Sequence, residues 1–513
     1  MEAWFIFIIL ISFCLCLLIT LLFSSHSKTS RHPLPPGPLR VPIIGSVLWL
    51  RRSFTELQPI LRSLHAKHGP IVTLPIGPRP SVFISDRSLA HKALIQNGAV
   101  FSDRPKSLAT SKVTNSNQHS VTSAFYGPTW RLLRRNLASE MLHATRIQSF
   151  SGTRKWVLHT LLNRLRSNSE SGKSIKVIDH LQYSMFSLLV FMCFGEKLDD
   201  DQIKDIEYVQ RRYLLNFDRF TVLNFWPRLT KILLRKRWEE LLQIRKEQED
   251  VLVPLIRARK KAKEEAINTP DPEVVVPYVD TLLDLQWPEE KRKLDEGEIV
   301  SLCSEFINAG TDTTSTALQW IMANLVKYPH VQERLVEEIR EIMRDRKEKE
   351  VKEEDLGKLP YLKAVILEGL RRHPPAHFVL PHAVSEDVVF NNYLVPKNGT
   401  VNFMVSDMGW DPNVWESPME FKPERFLNYT EKNGGEAFDI TGNREIKMMP
   451  FGAGRRMCPG YNLAILLLEY FVANLIWSFE WRTSNGGEVD MTEKEEFTVV
   501  MENPLEVCVF PRS

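Results

Sequence analysis

Cys458 stands in a ten-residue frame of small and basic residues, Phe451-Gly452-Ala453-Gly454-Arg455-Arg456-Met457-Cys458-Pro459-Gly460. Such a frame suits a thiolate presented to a large flat metal cofactor. Gly454 and Gly460 let the backbone turn tightly and approach a cofactor face that a Cβ would obstruct. Pro459 suits the first position of a following helix, where its missing N–H costs nothing. The nearly unbroken apolar run from Tyr461 to Trp477 supplies that helix. Its N-terminus would aim free N–H groups at the Cys458 sulfur and favour the thiolate. Arg456 offers a forked cation to a carboxylate. The competing reading is a buried, inert cysteine at a helix start.

A second group lies in Ala309-Gly310-Thr311-Asp312-Thr313-Thr314. Ala309 and Thr313 are i and i+4 and share a helix face. A small residue there leaves room above a flat cofactor, and a hydroxyl one turn on can donate to a bound ligand. Asp312 can relay protons through water. The hydroxyls can also bond back to the i−4 carbonyl and bend the helix. The alternative is a hydroxyl-rich buried helix satisfied locally. Further on, Glu368 and Arg371 are opposite charges at i and i+3, and Arg425 follows in Pro423-Glu424-Arg425-Phe426. Trp130 and Arg134 stand one turn apart, with Arg131 and Arg135 beside them facing outward.

These segments resemble the signatures of the cytochrome P450 family. Phe451, Gly454, Arg456, Cys458 and Gly460 match F-x-x-G-x-R-x-C-x-G, and the 309–314 hexapeptide matches A-G-x-D/E-T-T. Glu368/Arg371 match E-x-x-R, and residues 423–426 match P-E-R-F. The resemblance spans about residues 30–513 and implies the triangular, helix-rich fold of that family. It implies haem b (iron protoporphyrin IX) with Cys458 as the axial iron ligand and Phe451 beside the sulfur. It implies Arg456, Trp130 and Arg134 at the propionates, and Ala309 and Gly310 at the cofactor. Thr313 becomes the donor to dioxygen and Asp312 its proton supplier. Glu368, Arg371 and Arg425 become a buried network for folding and cofactor retention. The Asp407–Pro412 segment departs from the family, which usually has Arg where Trp410 stands; a cation near the meander is lost. In detail the chain resembles plant microsomal members, close to the eighty-nine A subfamily.

By the same resemblance, the substrate cavity is lined from Ser111–Phe125, from Phe306, Ile307 and Asn308, from Ala376–Leu380 including His377 and Phe378, and from Phe497–Val499. Asn308 and His377 are its polar candidates. The expected reaction is insertion of one oxygen atom from O2 into a hydrophobic small molecule. Gly452-Ala453-Gly454 is a lone GxG with no strand before it, so no flavin or nicotinamide fingerprint exists. Electrons must come from another protein, by resemblance an NADPH-dependent cytochrome P450 reductase. Arg131 and Arg135 would offer a basic patch to an acidic donor of this kind. Two other readings stand beside this one. The first is a haem-thiolate isomerase or dehydratase that needs no O2, which the Asp312–Thr313 pair disfavours. The second is a non-catalytic haem-binding protein.

The elements that must position these residues read as mainly α with minor β, in one large unit. Asp295 to Lys327 reads as one helix, with Asp295 and Glu298 spaced for a capping box. Ile71 to Asp86 reads as a small hairpin. From about Leu132 to Arg344 the signal is helical, with Arg257–Glu265 as a solvated helix end. Strand-like pieces return at Phe378–Val395 and Phe497–Phe510.

The chain has 513 residues, 43% hydrophobic and 25% charged, with net charge +3. No basic block is interleaved with aromatics, so nucleic acid is not expected. Of the six cysteines, Cys14 and Cys16 lie in the N-terminal apolar run, and the four beyond residue 50 are scattered, as in a reducing compartment. Residues 1–25 read as a transmembrane anchor: Ala3 to Phe23 is uncharged and long enough to cross about 30 Å of hydrocarbon. Lys28 and Arg31 on its C-terminal side place the body in the cytosol, hence a single-pass protein of the endoplasmic reticulum membrane. A cleaved signal peptide is the rival, but no basic region precedes the run. Residues 26–45 form a basic and Pro-rich hinge, with Pro33-Leu34-Pro35-Pro36-Gly37-Pro38 as a stiff spacer. Residues 46–513 form the catalytic domain. Phe225-Trp226, beside the basic run Lys231–Arg237, could dip into membrane lipid, core packing being the alternative.

Overall fold

The computed structural model describes Ser12, Cys14, residues 32–38, 49 and 54–512, apart from 77–79, 171–172, 225–226, 267–274, 345, 347–349, 433 and 485. The expected anchor, Cys14 and Ser12 excepted, and Phe225-Trp226 lie outside the described residues.

Alternation of apolar residues builds the small sheet. Ile71–Leu74 and Ser81–Ile84 pair antiparallel, Ile71 opposite Ile84, as the sequence predicts. The second strand also pairs parallel with Thr400–Phe403, which pairs in turn with His382–Ala383. Every residue of the two hairpin strands is buried. Val72, Leu74 and Phe83 face Leu57 and Leu61 of the helix Phe54–His68, while Ile71, Val82 and Ile84 face a second cluster around Phe101 and Phe403. Covering both faces explains why apolar residues occupy both sides of the strands, Thr73 and Ser81 being their polar members. The Pro-rich run is docked on this sheet and on the separate hairpin Val388–Phe390/Tyr393–Val395: the carbonyls of Pro36 and Pro33 accept from the N–H groups of Thr73 and Leu394 respectively, both at 2.8 Å.

The rest is mainly helical. The long helix runs Glu296–Lys327, 32 residues or about 48 Å. Asp295 caps it: its Oδ1 accepts from Glu298 N–H at 2.8 Å, and Glu298 Oε2 accepts from Asp295 N–H at 2.9 Å. The helix packs against Val177–Phe194 and Tyr461–Ser478. Both of these are apolar and long enough to cross a membrane, yet most of each is buried inside the body. Arg257–Glu265 forms the solvated end of the helix Arg235–Ala266.

Gly310 is explained at the crossing with Val177–Phe194. A Cβ there would lie 2.8 Å from Leu189 Cδ1. The glycine allows two helices to approach; its missing side chain faces the neighbouring helix rather than a cofactor.

Behind the cysteine loop, the helix Pro360–Arg372 buries Glu368 and Arg371 completely. Arg371 donates through Nε and Nη2 to the two Glu368 oxygens, both at 2.8 Å, and through Nη1 to the Gly409 carbonyl at 2.7 Å. Arg425 Nε reaches Glu368 Oε1 at 3.1 Å, and Lys422 N–H donates to the same oxygen at 2.8 Å. Trp410, where an arginine was expected, has the guanidinium groups of Arg62 and Arg372 over its ring at 5.0 and 5.4 Å. Its Nε1–H donates to the Arg372 carbonyl at 3.0 Å. The missing cation is thus replaced by two others stacked on an indole.

Candidate haem site

The cysteine loop is shaped by two left-handed glycines, Gly452 at φ +67° and Gly454 at φ +70°. A Cβ at Gly454 would lie 2.2 Å from the Leu94 carbonyl oxygen, so its close approach is to protein. Cys458 N–H donates to the Phe451 carbonyl at 2.9 Å, which closes the loop, and the Phe451 ring lies 6.3 Å from that of Tyr461. The helix begins at Tyr461 with Gly460 as its cap. Pro459 therefore precedes the cap and does not take the first helical position. Among the described residues, none beyond its own chain neighbours comes within 4 Å of where a Gly460 Cβ would sit, leaving open space beside the sulfur-bearing turn. Burial pushes the Cys458 thiol up, while the Gly460 N–H on its sulfur and the nearby Arg134 pull it down. The helix-end effect has the expected sign, but desolvation outweighs it.

Three arginines gather around this loop. Arg134 Nη2 donates to the Met457 carbonyl at 2.8 Å. Arg456 donates to the carbonyls of Ser102 at 2.7 Å, Val121 at 3.3 Å and Ala124 at 2.7 Å, and lies 4.6 Å over the Trp130 ring. Arg104 donates to the carbonyls of Thr122, Leu380 and Pro381, each at 2.8 Å. Burial lowers all three, Arg104 to about 9 and Arg456 to about 10, and the Arg104–Arg456 and Arg456–Arg134 proximities add to it. One buried and two half-buried cations, held on carbonyl dipoles, call for anionic groups. Arg104 was missed in the sequence; only its place in Phe101-Ser102-Asp103-Arg104-Pro105, the one cation of that run, could have hinted at it. Arg131 and Arg135 are exposed, as their spacing predicts.

The long helix presents one open stripe. From Glu298 to Val326 every residue is buried except Glu305, Ala309, Gly310 and Thr313. Glu305, Ala309 and Thr313 recur at i, i+4 and i+8, one face of a helix that otherwise lies in the core. Thr313 Oγ1 donates back to the Ala309 carbonyl at 2.6 Å.

Asp312 is buried on another side. Arg211 Nη1 stands 3.7 Å from Asp312 Oδ1, and Asp312 Oδ2 has no hydrogen-bond partner among the described residues. Burial pushes its carboxyl up to about 6 against the pull of Arg211, with Glu496 adding to the rise. Asp312, Arg211, Glu496 and Phe497 line a small cavity of about 10 Å³, roughly the space for one water. The alcohol and the acid therefore lie on different sides of one helix turn.

The expected pocket residues divide. Phe497 is 46% exposed, as are Phe125 at 48% and Leu380 at 52%, one from each of three segments expected to line the cavity. Ile307 is fully buried in the core, and Phe306 packs on the Tyr278 ring at 4.9 Å. Helical phase turns both away from the open stripe, whose missed member is Glu305. Asn308 Nδ2 donates to Gln210 Oε1 at 3.0 Å, and its Oδ1 is buried without a hydrogen-bond partner among the described residues. His377 shares the Glu493 carboxylate with His373, each at 3.0 Å. Burial opposes it, yet the bonds from these two histidines take Glu493 down to about 2. Phe378 packs edge-on against Phe83 on the sheet side.

The cytochrome P450 family profile matches residues 35–509. The chain belongs to the cytochrome P450 family. It is 51% identical to cytochrome P450 89A9 of Arabidopsis thaliana, over 99% of this chain and 98% of that protein. It is 30% identical to tabersonine 16-hydroxylase 1 of Catharanthus roseus, covering 98% and 97% of the two chains. A zebra fish cytochrome P450 solved with progesterone superposes with a TM-score of 0.72, over 89% of this chain and 99% of that one, at 23% identity. This P450 is thus an oxidoreductase of the monooxygenase class with a haem-iron cofactor, a small-molecule substrate and O2. The arginine cluster, the open stripe and the space beside Gly460 fit a flat cofactor with acidic edges.

Proposed function

We propose that this P450 holds haem b on Cys458 and oxygenates an apolar small molecule at the face formed by Ala309 and Thr313. Arg104, Arg134 and Arg456 would take the two propionates. When bound, the haem supplies the iron centre at which O2 is reduced. The remaining work belongs to the chain. Ala309 leaves room, the Thr313 hydroxyl donates a hydrogen bond, and Asp312 takes protons from the cavity beside Arg211 and Glu496. Phe125, Leu380 and Phe497 exclude water and favour an apolar substrate. The observation that carries this reading is the single accessible stripe on an otherwise buried helix.

Electrons would come from a membrane-bound NADPH-dependent flavoprotein reductase, docked on the exposed basic residues Arg131 and Arg135. The body would sit on the cytosolic face of the endoplasmic reticulum, tethered by residues 1–25 and touching lipid through Leu229, Ile232 and Leu233. These are 49%, 76% and 69% exposed, and they recur at i, i+3 and i+4. The test is a carbon monoxide difference spectrum of the reduced protein, followed by turnover with NADPH and reductase across plant lipids, phenolics, terpenoids and pigments. A red-shifted thiolate band with NADPH-dependent product supports the reading. Turnover of hydroperoxides alone would indicate an isomerase or dehydratase instead.

A further inference from the structure

Glu305 opens the accessible stripe of the long helix, four residues before Ala309. Its carboxylate is bound to backbone. Oε2 accepts from Val121 N–H at 2.8 Å; Oε1 accepts from Thr122 N–H at 2.7 Å and from the Thr122 hydroxyl. The carbonyls of the same segment go to the arginines: Val121 and Ala124 to Arg456, Thr122 to Arg104. Residues 121–124 are turns and a bend, with no ladder to hold them. An acid on the helix therefore grips their N–H groups while two cations beside the cysteine loop grip their C=O groups. Phe125, half exposed, follows directly.

We infer that Glu305 is a positioning residue that fastens segment 121–124 between the long helix and the arginine cluster, aiming Phe125 and so setting the width of the substrate cavity. The cavity part rests on the proposed function; the fastening does not. Charge-assisted bonds to backbone N–H groups are among the stronger ones, so their loss should be large locally. Gln118 Nε2 still holds the Ser123 carbonyl at 2.7 Å, which keeps the loop attached without Glu305.

Amide hydrogen exchange on the full-length, haem-loaded protein tests this. In the wild type, the Val121 and Thr122 amides should be as protected as those of the long helix. Glu305→Ala should speed their exchange about tenfold or more while leaving the helix unchanged. Glu305→Asp, one methylene shorter, should fall between. The variant should keep its red-shifted carbon monoxide band. Its spectral affinity for 1-phenylimidazole relative to imidazole should rise by about tenfold, the size of effect a tight pocket exerts on one apolar group.

Unprotected wild-type amides at 121 and 122 overturn the proposal whether or not the variants fold. So does an Ala variant with unchanged exchange. Faster exchange with an unchanged azole ratio overturns the claim on cavity width. A wild type without the thiolate band would sink the haem-thiolate assignment and leave the exchange result standing.

Discussion

Cys458 and Asp312 carry the sharpest consequences of any single side chains. Cys458→Ala should abolish the red-shifted band of the carbon-monoxide-bound reduced protein, because no other described thiol lies in the cysteine loop. Asp312 has a pH signature of its own. Its carboxyl ionises near 3.8 when unfolded and near 6 when folded. The folded state holds that proton more tightly, so the stabilisation is complete below the lower value and is lost as pH rises through the upper one. Asp312→Asn removes this dependence. Its stability advantage over the wild type should widen by about 1–2 kcal/mol between about pH 5 and pH 7.5, read from urea midpoints. Product formation should fall by about 10²-fold or more, as loss of a positioned proton donor does. Unchanged turnover would remove Asp312 from the proton path.

At the scale of elements, two contacts decide whether the site exists. Gly310 lets the long helix meet Val177–Phe194, and a methyl there would press on Leu189 Cδ1. Gly310→Ala should cost about 1–3 kcal/mol, and the double variant with Leu189→Ala should lose less than the two single costs combined. Denaturant midpoints of the four proteins check this. Glu368 balances two guanidinium groups in a fully buried place. Glu368→Ala leaves Arg371 without its counter-charge and should cost about 3–5 kcal/mol. The recovered protein should be largely haem-free, measured as the ratio of Soret to protein absorbance. Wild-type haem content in that variant would show that the network serves some other end. The capping box, the hairpin and the long helix were all legible in the sequence, because caps, alternation and helical period are local properties of neighbouring residues.

For the whole molecule, the expected topology makes a prediction that needs no substrate. With residues 1–25 crossing the membrane and the body in the cytosol, neither Asn398 nor Asn428 should carry a glycan, although both lie in sequons. In microsomes, endoglycosidase should leave the mobility unchanged, and added protease should digest the body. A glycosylated, protease-protected body would reverse the orientation.

The sequence alone determined the reaction family, the mainly helical class, the cysteine loop, the Ala309–Thr313 face and the identities in the Glu368 network, because each is written in residue type and short spacing. Tertiary structure alone decided which sides of these elements meet. It turned Phe306 and Ile307 into the core and opened Glu305 instead, committed His377 to Glu493, and brought Arg104 to the cysteine loop from more than three hundred residues away. It also surrounded Trp410 with two cations. Helical phase is set by the neighbours a helix packs against, and ionic partners by chain segments distant in sequence; neither is encoded in any local window.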